Sequence, residues 1–295
     1  SDSAPRPASP DPAVPPAAQG PGQPAAGTAS GWNVELAPSL DPGDPSASVP
    51  AAVGFCDEGS VAPAKLVPVV QSLADPHSFV GEELRFLGAK VQDLRRHRQL
   101  ACLALSSALP GDGKSTVALG LASALAREPG RRVLLIEADF RRPSITPSLG
   151  LPPAPGLGEW LNGALDYVPV RRVEPGSFFL LVAGQTEVER PESLGSPRMR
   201  ALLRAARGLF DFVLLDAMPL LPVADAVLIQ DMVDGFLIVV RSRQTPREAL
   251  QEALARLRPD RIVGVVLNDH DEYQDSYRAR AYHRYGMVYG ARSPG

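Results

Sequence analysis

The sequence predicts an α/β protein built on a doubly wound, mostly parallel sheet, with a tail of different composition at each end. Two observations carry this. Short apolar runs recur between residues 102 and 267 with helix-period stretches between several of them, the pattern of successive βαβ units. A glycine-rich turn follows the first run and opens the next helix, which is where such sheets bind ligands.

Composition sets the boundaries. Twelve of the 31 prolines lie in residues 1–50, among Ala, Ser and Gly, with Trp32 as the only aromatic residue. Such a stretch buries too little apolar surface to offset its ordering entropy, so residues 1–62 are expected to be a disordered tail. Residues 63–268 form the expected globular domain and 269–295 a tyrosine-rich tail. From Glu82 to His97, the residues Leu84, Leu87, Val91 and Leu94 recur at spacings of three and four, the stripe of an amphipathic helix. Strands are expected at Cys102–Ser106, Val133–Ile136, Phe178–Val182, Phe212–Leu215, Phe236–Val240 and Ile262–Leu267. Helices are expected at Ser115–Arg127, Pro197–Arg207, Ala224–Asp231 and Pro246–Leu257.

Several functional classes are excluded. Thirty basic against 33 acidic residues leave a net charge of −3, so no global positive field recruits nucleic acid. Cys56 and Cys102 stand far apart, and His77, His97, His270 and His283 show no ligand spacing, so neither a zinc site nor a disulfide framework is expected. No apolar run approaches the roughly 18 residues that span a bilayer, and the chain does not begin with a signal-peptide pattern. The expectation is a cytoplasmic protein.

The chemistry concentrates in three places. Ser106 to Thr116 runs from a strand through Pro110-Gly111-Asp112-Gly113 into a helix beginning Lys114-Ser115-Thr116. Glycines let backbone N–H groups turn around a phosphate, the helix N-terminus adds positive charge, and a lysine reaches the outer oxygens. Lysine is otherwise almost absent, since only Lys65 and Lys90 accompany Lys114 among 30 basic residues. Ala108 stands where the first glycine of G-x-x-x-x-G-K-[ST] belongs. The second strand ends Ile136-Glu137-Ala138-Asp139-Phe140-Arg141, which by strand alternation puts two carboxylates on one face. A later strand ends Leu215-Asp216-Ala217-Met218-Pro219. Mg²⁺ takes hard oxygen ligands, so Ser115, Asp139 and Asp216 are candidates to hold it beside a nucleoside triphosphate. Pro110, Gly111, Asp112, Gly113, Lys114, Ser115 and Thr116 are candidates for the phosphates.

These three stretches resemble the bacterial tyrosine kinase family of the capsular and exopolysaccharide type. Its pattern is a P-G-x-G-K-[ST] Walker A loop, a Walker A′ strand of the form apolar₃-D-x-D-x-R, and a Walker B strand of the form apolar₃-D-x-x-P. The corresponding segments are Pro110–Thr116, Leu134–Arg141 and Val213–Pro219, with Glu137 in place of the first Walker A′ aspartate. The resemblance runs from about Pro76 to Asn268 and includes Gly156–Gly163. It implies a kinase using ATP and Mg²⁺, with Glu137 as candidate base, Arg141 on the transferring phosphoryl or on a carboxylate, and Asn268 on adenine. The roles of Glu137, Asp139 and Asp216 are exchangeable at this level.

Five of six tyrosines, Tyr273, Tyr277, Tyr282, Tyr285 and Tyr289, lie within the last 23 residues among Asp, Gln, Arg, His and Gly, with no apolar face to receive them. The resemblance makes them phosphoacceptors of a neighbouring subunit. It further implies a homo-oligomer, a separate transmembrane polysaccharide co-polymerase as activator, a phosphotyrosine phosphatase, and a place at the inner face of the membrane. The family's oligomerisation motif E-x-x-R-x-x-R reads Glu82-x-x-Arg85-x-x-Gly88. Two other readings compete: a nucleotide-binding pseudokinase scaffold, and a ParA/MinD-like positioning ATPase. The latter usually carries a second lysine early in the loop, where this chain has Leu109-Pro110-Gly111.

Overall fold

A computed structural model describes residues 31–35, 52–62, 68–74, 78–174, 177–185, 191–221 and 225–269. Its strands in chain order are β1 (Gly31–Glu35), β2 (Ala52–Val61), β3 (Cys102–Ser107), β4 (Val133–Glu137), β5 (Tyr167–Val173), β6 (Phe178–Leu181), β7 (Phe212–Asp216), β8 (Gly235–Arg241) and β9 (Ile262–Asn268). The helices are α1 (Pro68–Ala74), α2 (Phe79–Arg98), α3 (Lys114–Ala126), α4 (Ile145–Ser148), α5 (Leu157–Leu161), α6 (Pro197–Leu209) and α7 (Arg247–Ala255).

One nine-stranded sheet runs β1-β2-β5-β6-β4-β7-β3-β8-β9. Only β1–β2 and β5–β6 pair antiparallel. β3, β4, β7 and β8 have scarcely a polar residue before their carboxyl ends, because both faces are covered. One face packs Leu103, Leu105, Leu135 and Leu214 against α1 to α3, and the other packs Leu134, Ile136, Val213 and Leu215 with Trp160 and the apolar side of α6. Burial of this kind stabilises by about 25 cal/mol per Å² of apolar surface, which the ordering entropy largely offsets. β3 turns into α3, and the chain returns in β4 on the far side of β7. The carboxyl ends of these three central strands therefore open on one crevice.

The six expected strands and the expected doubly wound sheet are present. Three differences stand out. Residues 31–35 and 52–61, assigned to a disordered tail, form β1 and β2 at the sheet edge. Within β2 the buried Val53 and Phe55 alternate with half-buried neighbours, and this local period outweighs the average composition. The remainder of the 1–62 segment lies outside the described residues, except for Ala62, as does the 269–295 tail beyond Asp269. The helix expected at Ala224–Asp231 is a short 3₁₀ turn at Asp225–Ile229, where β-branched Val227 and Ile229 disfavour a regular helix. Finally, Gly88, at the third position of the E-x-x-R-x-x-R pattern, is buried with Ala124 of α3 facing it, so this position points into the domain. Glu82 and Arg85 pair with each other on α2.

Candidate functional site

β3 delivers the chain into the loop 108–113 from a wholly buried run. Ala108 is itself buried and has no positive φ, so alanine serves where the pattern has glycine. Gly111 and Gly113 both have φ of +92°, a region that costs other residues strain. The Asp112 carboxylate points into the loop: it accepts the Leu109 N–H at 3.1 Å and the Thr245 hydroxyl at 2.8 Å, bracing the loop from within and from the β8–α7 connection. Asn268, at the end of β9, donates its side-chain amide to the Asp112 carbonyl at 2.9 Å. Asn268 thus supports the loop's backbone.

Parallel registry fixes the acidic residues. Glu137 of β4 lies opposite Asp216 of β7, which lies opposite Leu105 of β3, just before the loop. The Lys114 ammonium reaches Asp139 at 2.8 Å and Asp216 at 3.5 Å, and lies 3.3 Å from the Ser115 hydroxyl. All three charged side chains are nearly closed to solvent. Both oxygens of Asp216 lack a hydrogen-bond partner among the described residues. Burial pushes its pKa up to about 6; the Lys114 ammonium and the Ser115 hydroxyl offset part of the rise, while Asp139 and Glu137 add to it.

The structure separates the two Walker A′ carboxylates. β4 ends at Glu137, so strand alternation no longer governs Asp139. Asp139 turns to Lys114, and Glu137 turns to α4 and the end of β6. One Glu137 oxygen accepts the N–H groups of Ile145 at 2.6 Å and Thr146 at 3.3 Å; the other accepts the Thr146 hydroxyl at 2.6 Å and the Ala183 N–H at 3.3 Å. With no exposed surface and these four bonds, Glu137 has no position from which to take a substrate proton. The expectation of Glu137 as base is corrected accordingly.

A cavity of about 780 Å³ opens over the loop. Pro110, Gly111, Gly113, Lys114, Ser115 and Thr116 line one side, Asp139, Arg141 and Arg142 another, with prolines and serines of the α4 region beyond. Among the described residues Asp139 is the only carboxylate on this lining. Sequence reasoning missed Ser144, whose hydroxyl bonds that of Ser115 at 2.8 Å, and Thr245 behind Asp112. Ser144 carries only the weak signal of an N-cap letter before α4, whereas Thr245 opens the Thr-x-x-Glu pattern Thr245-Pro246-Arg247-Glu248 that marks the start of α7. The acceptor tyrosines Tyr273 to Tyr289 lie outside the described residues.

The donors fit a magnesium ion. Ser115, Asp139 and Asp216 offer only hard oxygens, and the buried Asp216 carboxylate has the Lys114 ammonium at 3.5 Å as its nearest cation. Among the described residues no three His, Cys, Asp or Glu side chains would hold a metal by themselves.

The CobQ/CobB/MinD/ParA nucleotide-binding domain family model matches residues 107–281. The tyrosine-protein kinase YwqD of Bacillus subtilis is 30% identical over 214 residues, covering 69% of this chain and 89% of that protein. This chain belongs to the bacterial tyrosine kinase family. The succinoglycan biosynthesis transport protein ExoP of Rhizobium meliloti, 34% identical over 226 residues, matches 72% of this chain, yet the match spans only 29% of ExoP. Among solved structures, the kinase domain of the Escherichia coli tyrosine kinase ETK superposes with a TM-score of 0.63 at 28% identity, covering 68% of this chain and 79% of that one. The VpsO kinase domain gives 0.56 at 29% identity, covering 65% of this chain and all of that one. As a tyrosine kinase family member, the chain carries the Walker A, A′ and B segments at the carboxyl ends of β3, β4 and β7. Among the described residues no helix is long and apolar enough to cross a membrane.

Proposed function

We propose that this chain is an ATP-dependent protein-tyrosine kinase that phosphorylates Tyr273, Tyr277, Tyr282, Tyr285 and Tyr289 of a neighbouring copy. Its physiological role is the control of capsule or exopolysaccharide synthesis. The observation that carries the reading is the Lys114–Asp139–Asp216 cluster: one ammonium between two buried carboxylates at the mouth of a phosphate loop.

ATP is the donor substrate. Lys114 and the N–H groups of residues 111 to 115 hold its phosphates, and the α3 N-terminus adds its partial charge. Ser115, Asp139 and Asp216 would hold Mg²⁺ directly or through water. That ion neutralises charge on the phosphate oxygens. In the transfer the bond from the γ-phosphorus to the bridging oxygen breaks, the phenol oxygen bonds the γ-phosphorus, and ADP leaves. Where Asp139, the carboxylate that faces the cavity, takes the phenol proton, the ion is left to Ser115 and Asp216. Arg141, exposed on the cavity lining, balances charge on the transferred group.

The replacement at Glu137 lies off the cavity and Ala108 fits its buried position, which weakens the pseudokinase reading. The named relatives favour a kinase over a positioning ATPase. A transmembrane co-polymerase supplies activation, five added phosphates repel the copies, and a phosphotyrosine phosphatase reverses the change. The deciding experiment is intact mass after incubation with ATP and Mg²⁺, for the unaltered chain and Lys114→Met. Successive +80 Da steps are expected, about the mass of one phosphoryl each, mapping to Tyr273–Tyr289 and missing in the variant. No mass change in the presence of membrane fraction or co-polymerase peptide would overturn the reading.

A further inference from the structure

The rim of the cavity and the acceptor segment have opposite charge patterns. Arg141 and Arg142 are exposed side by side on the cavity lining, and the Arg142 backbone N–H donates to Asp139 at 3.0 Å, which fixes that residue beside the carboxylate at Lys114. Among the described residues the one acid on the lining, Asp139, is paired with Lys114, which leaves Arg142 as exposed positive charge on the rim. Pro143, Pro147, Met218 and Pro219 line the same cavity and offer flat apolar surface to a phenol ring.

The tyrosine segment is divided by charge. Residues 269–277 contain Asp269, Asp271, Glu272 and Asp275 with no Lys or Arg, and they surround Tyr273 and Tyr277. Residues 278–292 contain Arg278, Arg280, Arg284 and Arg292 with no acid, and they surround Tyr282, Tyr285 and Tyr289. An arginine rim steers an acidic peptide toward the cavity and opposes a basic one.

We propose that Arg142 selects acidic acceptor sequence, so that Tyr273 and Tyr277 are phosphorylated before Tyr282, Tyr285 and Tyr289. The proposal rests on the kinase reading and adds an order of modification to it. Each phosphate at Tyr273 or Tyr277 then brings about −1.5 to −2 charges next to the basic half, making that half a better match for the same rim.

The test uses the full chain with ATP and Mg²⁺ and two synthetic peptides from this sequence, residues 267–277 and 278–292, assayed separately and in competition. The expected kcat/KM favours the acidic peptide by about tenfold at low salt, with the preference falling toward parity as ionic strength rises. Arg142→Glu is expected to abolish or reverse the preference, and the salt dependence of the unaltered chain gives a second readout if that variant folds poorly. Site-resolved time courses on the chain itself are expected to show Tyr273 and Tyr277 filling first. Equal use of both peptides, a preference for the basic one, or a ratio unmoved by both salt and Arg142→Glu overturns the selection while leaving the kinase reading intact. Phosphorylation of neither peptide nor chain removes both.

Discussion

The Glu137 carboxylate accepts the Thr146 hydroxyl at 2.6 Å, a bond that ties the end of β4 to the first turn of α4 and faces away from the nucleotide cavity. With Ile145 and Ala183 held by the same carboxylate, the residue positions the segment carrying Ser144, which in turn meets Ser115. Glu137→Gln is therefore expected to lower stability by about 1.5–3 kcal/mol, the worth of a hydrogen bond to a charged acceptor. The acid limb of its pH–rate profile is expected to match that of the unaltered chain. A general base would behave differently, with kcat falling by about 10²-fold or more and the acid limb displaced. Thermal melts and a pH–rate profile of the variant separate the two.

Asp216 carries the second prediction. Its folded pKa of about 6 stands above the unfolded value of about 3.9 for an aspartate. Between these values the folded chain holds more protons than the unfolded one, so stability falls as pH rises through about 4 to 6. At pH 7 the strain amounts to something on the order of 2–3 kcal/mol, by the linkage of one pKa unit to about 1.4 kcal/mol. Asp216→Asn is expected to melt higher than the unaltered chain at pH 7 without nucleotide and to lose that advantage near pH 4. It is also expected to lose most of the stabilisation that ATP and Mg²⁺ give. Scanning calorimetry at the two pH values checks both signs, and an Asp216→Asn chain that is less stable at pH 7 would refute the first.

The central sheet and the phosphate loop were legible because both repeat a local rule. Apolar runs such as Phe212–Leu215 leave no other place than a covered strand, and Pro110–Thr116 carries its turn and charge chemistry in adjacent letters. What was hidden depends on residues far apart. β5 contains Pro169 and the pair Arg171–Arg172, which read against a strand; β6 pairs only with residues 171–173, so one side of the strand is unpaired at Pro169, where a missing N–H is tolerated. The direction of Glu137 is set by Ile145 and Thr146 in the turn that opens α4, with Ala183 of the β6 end, 46 residues on, adding a longer bond, and that of Asp112 by Thr245, 133 residues on. Neither Ala183 nor Thr245 leaves a signal near the motif.

Gly113 gives the third prediction. A Cβ there would stand 2.0 Å from the Asn268 amide nitrogen, on a backbone at φ +92°. Gly113→Ala is expected to displace Asn268 from the Asp112 carbonyl, to cost on the order of 1–3 kcal/mol in backbone strain, and to weaken ATP binding at least tenfold. Asn268→Ala alone removes one bond and leaves the loop's φ angles unchanged, so its effect on ATP is expected to be smaller unless Asn268 also touches the base. The double variant Gly113→Ala/Asn268→Ala is expected to recover part of the affinity, because the clash is gone while the φ strain stays. Titration calorimetry with ATP measures all three, and a double variant as weak as the sum of the two singles would show that the clash is not the cause.

The hairpin β1–β2 gives the last. Trp32 of β1 stands edge-on to Phe179 with ring centroids 5.6 Å apart, and the Arg132 guanidinium lies 4.8 Å over its ring. Phe55 of β2 is 1% exposed and meets Phe210 at 5.8 Å. Removing residues 1–30 takes none of these contacts, whereas removing residues 1–62 uncovers Phe179, Phe210 and the β5 edge. The first truncation is expected to melt with the full chain, the second well below it. Phe55→Ala is expected to cost about 3–5 kcal/mol, roughly 10 °C for a domain of this size, and Trp32→Ala about 1–2 kcal/mol. A 1–62 truncation that melts with the full chain would remove the hairpin from the fold's stability, and the Phe55→Ala result would then have to be small as well, since both changes empty the same contact with Phe210.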